Sequence, residues 1–342
     1  MSTTTNRVRR VWQRPGRSIR RLFGGPALGV LLATAAVADA TPLTGGNLLI
    51  HTDQMLLEFT PSGDWVQTVP IPYPGPAAER ARDIVVDRQG HVLVYNGTAA
   101  PYLSCYDPVT ESWSHTTFTG WSNLQNEAYG GIAAYEQYAF VTDMVTLSGT
   151  AKGVIRFDRD QSTAQRFALD IEPIDLNLGL DGLLYVLYPS TSPGGSRLDV
   201  YDPITLARTG RLDLTASLGS TAHRSVAANA AGDIFIADPD GELHRLNPNG
   251  EWLATTNLAT ASPPVDLYDV DVLPDGTIVL GDRYGRVLLT DEGFSAASAF
   301  SVGFNSVFVT YVPHVPEPSA VLLVLLGGLT LLAGRRADRR VR

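Results

Sequence analysis

Between residues 48 and 312 the chain meets a turn of the same chemistry about every 45 residues. The turns are Thr60-Pro61-Ser62-Gly63, Asp107-Pro108, Asp158-Arg159, Asp202-Pro203, Asn247-Pro248 and Thr290-Asp291, at positions 60, 107, 158, 202, 247 and 290. The intervals are 47, 51, 44, 45 and 43 residues. An Asp, Asn or Thr side chain can bond to the backbone two residues on, and proline presets φ at the next position, so each turn has a mechanism. A second marker keeps the same register: Gly90, Gly182, Gly232 and Gly276 sit between two apolar segments, where a hairpin calls for positive φ. The third unit has Glu136-Gln137 there instead.

The segments between these markers are short, apolar or alternating, and bounded by Gly, Pro, Asp and Asn, which predicts strands throughout and no long helix. A period of 40 to 50 residues with four short strands per unit is the pattern of a β-propeller, here with six blades. The expected blades are 47–70 with 304–313, then 82–118, 130–168, 174–214, 224–258 and 267–300. The first has three strands at the amino end and takes its fourth from Ser306 to Val312, which closes the ring and removes open edges. A pair of β-sandwiches is the alternative, although sandwiches need no such period. The spacing resembles six-bladed propellers of the NHL-like and lactonase-like kinds.

One constellation emerges from the repeat. Seven residues before the hairpin glycines stand Asp83, Asp175, Ser225 and Asp269, at the entry of the innermost strands. The matching position falls near Gly130 or Gly131 in the third blade and near Asn305 or Ser306 in the closing one. Asp83, Asp175 and Asp269 would then surround the channel mouth at near-threefold spacing, an oxygen cluster of the type hard cations such as calcium favour. Alternatively each aspartate caps its own turn, and Arg82 and Arg224 offset the charge. Loops on the same face carry Trp121, Asn126, Glu127 and Tyr129, side chains suited to stacking on a sugar ring or gripping a peptide. Six histidines, His51, His91, His115, His223, His244 and His314, show no ligand spacing. Asp238-Pro239-Asp240-Gly241-Glu242 is too short for a calcium loop and predicts a tight hairpin.

Both ends look like export signals. Residues 1–40 hold seven arginines between Arg7 and Arg21, an apolar stretch from Gly24 to Val37, and Ala38-Asp39-Ala40 as a small-x-small cleavage site. Arg20-Arg21-Leu22-Phe23 resembles the core of a twin-arginine motif, with Ile19 where that pattern has a serine or threonine, so the Tat and Sec routes both stay open. Residues 315–342 begin with Val315-Pro316-Glu317-Pro318-Ser319, continue through a 14-residue apolar run from Ala320 to Ala333, and end in Arg335, Arg336, Arg339 and Arg340. The run is apolar on all faces and the arginines behind it suit a positive-inside stop, so a transmembrane helix is expected at about 320–334.

This order of motif, apolar helix and basic cluster resembles the PEP-CTERM sorting signal of Gram-negative bacteria. The resemblance implies a membrane-embedded processing enzyme, an exosortase, as partner, and a surface or extracellular-matrix destination after release from the inner membrane. An ordinary carboxyl-terminal anchor is the plainer reading.

The chain has 26 basic and 35 acidic residues; setting aside 7 and 1 in residues 1–40, and 5 and 2 in 316–342, leaves 14 against 32, a net of about −18 for the domain between the signals. Such a domain does not seek nucleic acid. Cys105 is the only cysteine, so this exported chain relies on its core rather than on disulfides. Catalytic signatures such as His-Glu-x-x-His or Gly-x-Ser-x-Gly are missing from the sequence. The expectation is therefore a secreted domain, 41–314, acting as a binding or structural module for exopolysaccharide or a surface protein. The alternative is a metal-dependent lactonase-like or esterase-like hydrolase using the three aspartates.

Overall fold

The computed structural model describes residues 42–314, apart from 53–54, 73–80, 97–100, 122–129, 144–152, 169–171, 190–194, 220–221, 259–264, 296 and 306. The chain begins with three strands, β1 (Leu48–Thr52), β2 (Met55–Phe59) and β3 (Trp65–Pro70). The second sheet is β4 (Ala81–Val86), β5 (Val92–Asn96), β6 (Tyr102–Asp107) and β7 (Ser112–Thr116). The third is β8 (Ile132–Tyr135), β9 (Tyr138–Asp143), β10 (Gly153–Asp158) and β11 (Thr163–Phe167). The fourth is β12 (Asp175–Leu178), β13 (Leu184–Tyr188), β14 (Arg197–Tyr201) and β15 (Arg208–Asp213), followed by the one-turn helix α1 (Leu214–Leu218). The fifth is β16 (Ser225–Ala228), β17 (Ile234–Ala237), β18 (Glu242–Leu246) and β19 (Trp252–Asn257). The sixth is β20 (Leu267–Val272), β21 (Ile278–Asp282), β22 (Arg286–Thr290) and β23 (Ala297–Ser301), and the last strand is β24 (Phe308–Tyr311).

These strands form six antiparallel four-stranded sheets, the blades of an all-β, six-bladed propeller. Five blades use consecutive strands; the other is ordered β24-β1-β2-β3, with Leu48 opposite Tyr311 and Ile50 opposite Val309.

The turn residues act as their chemistry demands. Asp107 Oδ1 accepts from Val109 N (2.8 Å), Asp202 Oδ1 from Ile204 N (3.0 Å), Asn247 Oδ1 from Asn249 N (3.0 Å) and Asp291 Oδ1 from Gly293 N (2.9 Å). Where the third blade has no hairpin glycine, Glu136 itself takes φ +52°.

The core lies between blades. Six apolar clusters lie between neighbouring sheets, for example Leu93, Tyr95 and Leu103 of the second blade with Ile132, Val141 and Ile155 of the third. Burying each such side chain contributes about 1.5–3 kcal/mol. The inner strand β16 is buried throughout and β12 is buried to half-buried, whereas the outer strand β7 mixes exposed and half-buried residues, so the sheets are most open to solvent at the rim. Among the described residues no helix is long and apolar enough to cross a membrane. The expected signal peptide, with Ala38 and Ala40, and the segment 315–342, with the expected helix at 320–334, lie outside the described residues.

Candidate functional site: the axial channel and its entry face

The inner strands β4, β8, β12, β16, β20 and β24 surround the axis. A cavity of about 220 Å³ runs between several of them, from Asp83, Asp175 and Asp269 past Asn177, Asp271 and Thr310. The three aspartates share one level of the channel, but as buried parts of its wall, only 6–7% exposed, rather than at an open mouth.

Each carboxylate reaches sideways to the next blade. Asp83 Oδ2 accepts from Ile132 N (2.6 Å), Asp175 Oδ2 from Val226 N (2.8 Å) and Asp269 Oδ2 from Val309 N (2.6 Å). Ser225, in the same register, accepts from Val270 N (3.1 Å) and donates to Asp269 Oδ1 (3.2 Å). Each also has a local bond: Ile84 N donates to Asp83 Oδ1 (2.7 Å), and the amides of Leu176 and Val270 bond to Asp175 and Asp269. The caps therefore tie neighbouring blades together as well as bonding locally.

The two blades without such a side chain differ instructively. In the third, Gly131 has the equivalent place, and a Cβ there would stand 2.1 Å from Leu176 N and 2.5 Å from Asp175 Oδ1. In the closing blade the register falls on Phe308, two to three residues beyond the expected Asn305 or Ser306. Phe308 packs in the apolar cluster with Ile84 and Tyr268.

Burial and mutual repulsion dominate the electrostatics. Burial raises the Asp83 carboxyl well above the usual range, and the charges of Asp269 and Asp175 push it further. Asp175 is raised by burial and by Asp269. Burial brings Asp269 to about 7 and Asp271 to about 6. The channel is thus a place where carboxyls keep protons near neutrality. Arg224 is engaged with Asp266, Nη1 to Oδ1 at 2.7 Å, and lies over the Tyr268 ring.

The expected loop residues fare differently. Trp121 is turned inward, only 5% exposed, with Tyr95 and Phe118 beside its ring and Nε1 donating to Thr142 O (2.9 Å). Its indole gains more from the cleft between the second and third blades than from solvent, so it is a core residue and offers no ring to a ligand. Asn126, Glu127 and Tyr129 lie outside the described residues. So do Val315, Pro316, Glu317, Pro318 and Ser319, and the basic Arg335, Arg336, Arg339 and Arg340.

The fold has known company. No family model and no curated protein matches this sequence. Among solved structures the chain is similar to the crystal structure of TolB from Acinetobacter baumannii, with a TM-score of 0.59, 13% identity, and coverage of 78% of this chain and 67% of that one. At that identity the likeness is one of fold alone.

Two features of the entry face had no forecast in the sequence. Tyr284, in the hairpin between β21 and β22, is 50% exposed, and Phe304, in the segment leading to β24, is 41% exposed. Gly285 (φ +82°) lets these two stretches touch, since a Cβ there would stand 2.0 Å from Phe304 O. Arg283 adjoins them, with Nη1 3.5 Å from Asp266 Oδ2 and a side chain 58% exposed.

The second feature is a buried trio in the fifth blade. His223 Nδ1 lies 2.7 Å from Asp238 Oδ1, and His244 Nε2 lies 3.2 Å from Asp238 Oδ2. Burial pushes the Asp238 carboxyl up, but the hydrogen bonds and charges of the two histidines outweigh it and bring it down to about 2. The histidines are 21 positions apart in sequence and meet because one precedes the inner strand while the other sits on the third strand. The signal that could have found them was the repeat: Asp238 closes a second strand on the face where His223 enters a first.

Proposed function

We propose that this chain is a binding module of the cell envelope or extracellular matrix whose propeller engages a polysaccharide through its entry face. The observation that carries the reading is the exposed set of Tyr284, Phe304 and Arg283 beside Asp266. Two rings offer apolar faces to the C–H side of a sugar, and a guanidinium with a carboxylate offers donors and acceptors to adjacent hydroxyls. The net negative charge of the domain favours a neutral polymer over a strongly anionic one.

The amino-terminal and carboxyl-terminal segments support export and exosortase-type sorting through their resemblance to a signal peptide and a PEP-CTERM segment. On this reading a Gram-negative inner membrane holds the precursor, and processing near 315–319 sends the domain to the surface. A hydrolase would need the oxygens of Asp83, Asp175 and Asp269 for a metal, and in this fold those oxygens accept backbone N–H groups of neighbouring blades.

The test is calorimetric titration of the purified protein with exopolysaccharide fragments from the producing cell, alongside Tyr284→Ala, Phe304→Ala and the double variant. Both rings are exposed, so folding should persist while affinity falls by roughly tenfold or more per ring. No binding by the wild-type protein, or equal binding by the double variant, would sink the reading.

A further inference from the structure

The geometry points to a transition-metal site in the fifth blade, formed by His223, Asp238 and His244 and suited to zinc. All three side chains are buried, at 1%, 1% and 5% exposure, and their ligand atoms all lie within 4.8 Å of one another. Tetrahedral zinc holds nitrogen and oxygen ligands at about 2.0–2.2 Å, which spaces neighbouring ligand atoms about 3.4 Å apart. The observed 2.7 and 3.2 Å separations at Asp238 would spread slightly to admit the ion, and the two imidazoles, with ligand atoms within 4.8 Å of each other, would settle to the same edge length. Two imidazoles and one carboxylate are a borderline-soft set that selects zinc or a neighbouring divalent metal over calcium.

The surroundings orient the ligands. His244 Nδ1 lies 2.8 Å from Thr255 Oγ1, and Trp252 Nε1 donates to the same oxygen (2.9 Å). When Nδ1–H donates to Thr255, the Nε2 lone pair faces Asp238, which is how a second partner commonly fixes a metal-bound imidazole. Thr255 lies on the outer strand, directly opposite His244, so the sheet register itself sets this contact. Glu242 Oε2 lies 3.7 Å from His244 Nε2, and its side chain is 34% exposed. It stands where a fourth ligand would enter from solvent.

The three residues come from different parts of the blade. His223 precedes β16, Asp238 follows β17, and His244 lies within β18. An ion there would pin the entry loop of the inner strand to the next hairpin, a structural clip in the only blade whose clasp residue is a serine. The site is separate from the axial carboxylates and independent of the polysaccharide reading.

The experiment is metal analysis of the full-length untagged chain after treatment with a chelator and titration with Zn²⁺ and Co²⁺, with Ca²⁺ as comparison. One equivalent of zinc per chain is expected, with a cobalt form showing tetrahedral visible absorption bands. His223→Gln and His244→Gln should each weaken zinc binding by more than about 100-fold, beyond the roughly 10–100-fold typical of outer-shell changes, while Asp83→Asn keeps it. If those variants fail to fold, X-ray absorption on the zinc-loaded wild-type protein decides, since two imidazole nitrogens and carboxylate oxygen must appear in its first shell. Failure of the folded wild type to retain zinc or cobalt, retention by His244→Gln, or a shell of oxygens only would each overturn the assignment.

Discussion

The carboxylate of Asp269 accepts the backbone N–H of Val309 at 2.6 Å, so the seam where the ring closes is joined by the same contact that joins Asp83 to Ile132 and Asp175 to Val226. The closing strand is held as an ordinary neighbour would be, although it is contributed from the far end of the domain.

Asp269→Asn should reveal the proton that burial keeps on this group. A carboxyl whose folded pKa is raised to about 7 binds more protons folded than unfolded. Its contribution is therefore fully present below about 4 and is lost as pH rises through 7, at up to about 1.4 kcal/mol per pH unit. Asparagine keeps an acceptor for Val309 N–H without the charge. The variant should thus match the wild type near pH 4 and melt higher at pH 8, as thermal unfolding by circular dichroism would measure. A constant difference across this range would contradict the account.

His51 works in the opposite direction over an overlapping window. Burial lowers its pKa to about 3, with Asp83 O and Asn96 Oδ1 as its neighbours. Its contribution is present above about 6.5 and is lost as pH falls toward 3. His51→Gln should accordingly lessen the acid sensitivity of the melting temperature below pH 6, leaving the alkaline limb to Asp269.

Ser225→Ala removes the acceptor of Val270 N–H and the donor to Asp269 Oδ1 together. A buried donor left unmet costs about 1–3 kcal/mol, which sets the expected loss in urea-melt free energy. Ser225→Thr keeps the hydroxyl and should recover most of it.

Gly131→Ala and Gly182→Ala separate crowding from backbone preference. The first would drive a Cβ to 2.1 Å from Leu176 N, backbone that cannot turn away, and should cost several times the second. At Gly182, φ is +85° and nothing lies within 4 Å, so only the left-handed penalty of about 1 kcal/mol applies. Comparing the two melts checks this.

Shortening the chain tests the closing strand directly. A chain ending at His314 keeps β24 and should fold; one ending at Gly303 leaves one edge of β1 unpaired and Asp269 without Val309. Chemical denaturation of both should show a cooperative transition in the first alone.

Much of this architecture was written in local chemistry. Asp107, Asp202 and Asn247 bond to backbone two residues on, so their turns are self-contained and readable in one dimension. The register of Asp83, Asp175 and Asp269 was legible too, because it counts back from hairpin glycines. Their bonding partners were not, since those amides lie 40 to 51 residues away on other blades. Trp121 misled for a related reason: a loop position says nothing of the cleft that Tyr95 and Phe118 open beside it. The meeting of His223 and His244 depends on how far apart two strands of one sheet stand, which no ligand-spacing pattern encodes.

The pairing of β24 with β1 also fixes an order of assembly. Ile50 and Val309 are opposite each other, so a strand made near the beginning waits for one made near the end. Closing a flexible loop of that length would cost on the order of 5 kcal/mol of chain entropy. Blades formed in the meantime carry the ends toward each other and lower that cost. Until the last strand arrives, β1 presents an open edge to any other chain nearby. A chain short of that last strand would therefore carry its exposed strand edge at one known place, β1.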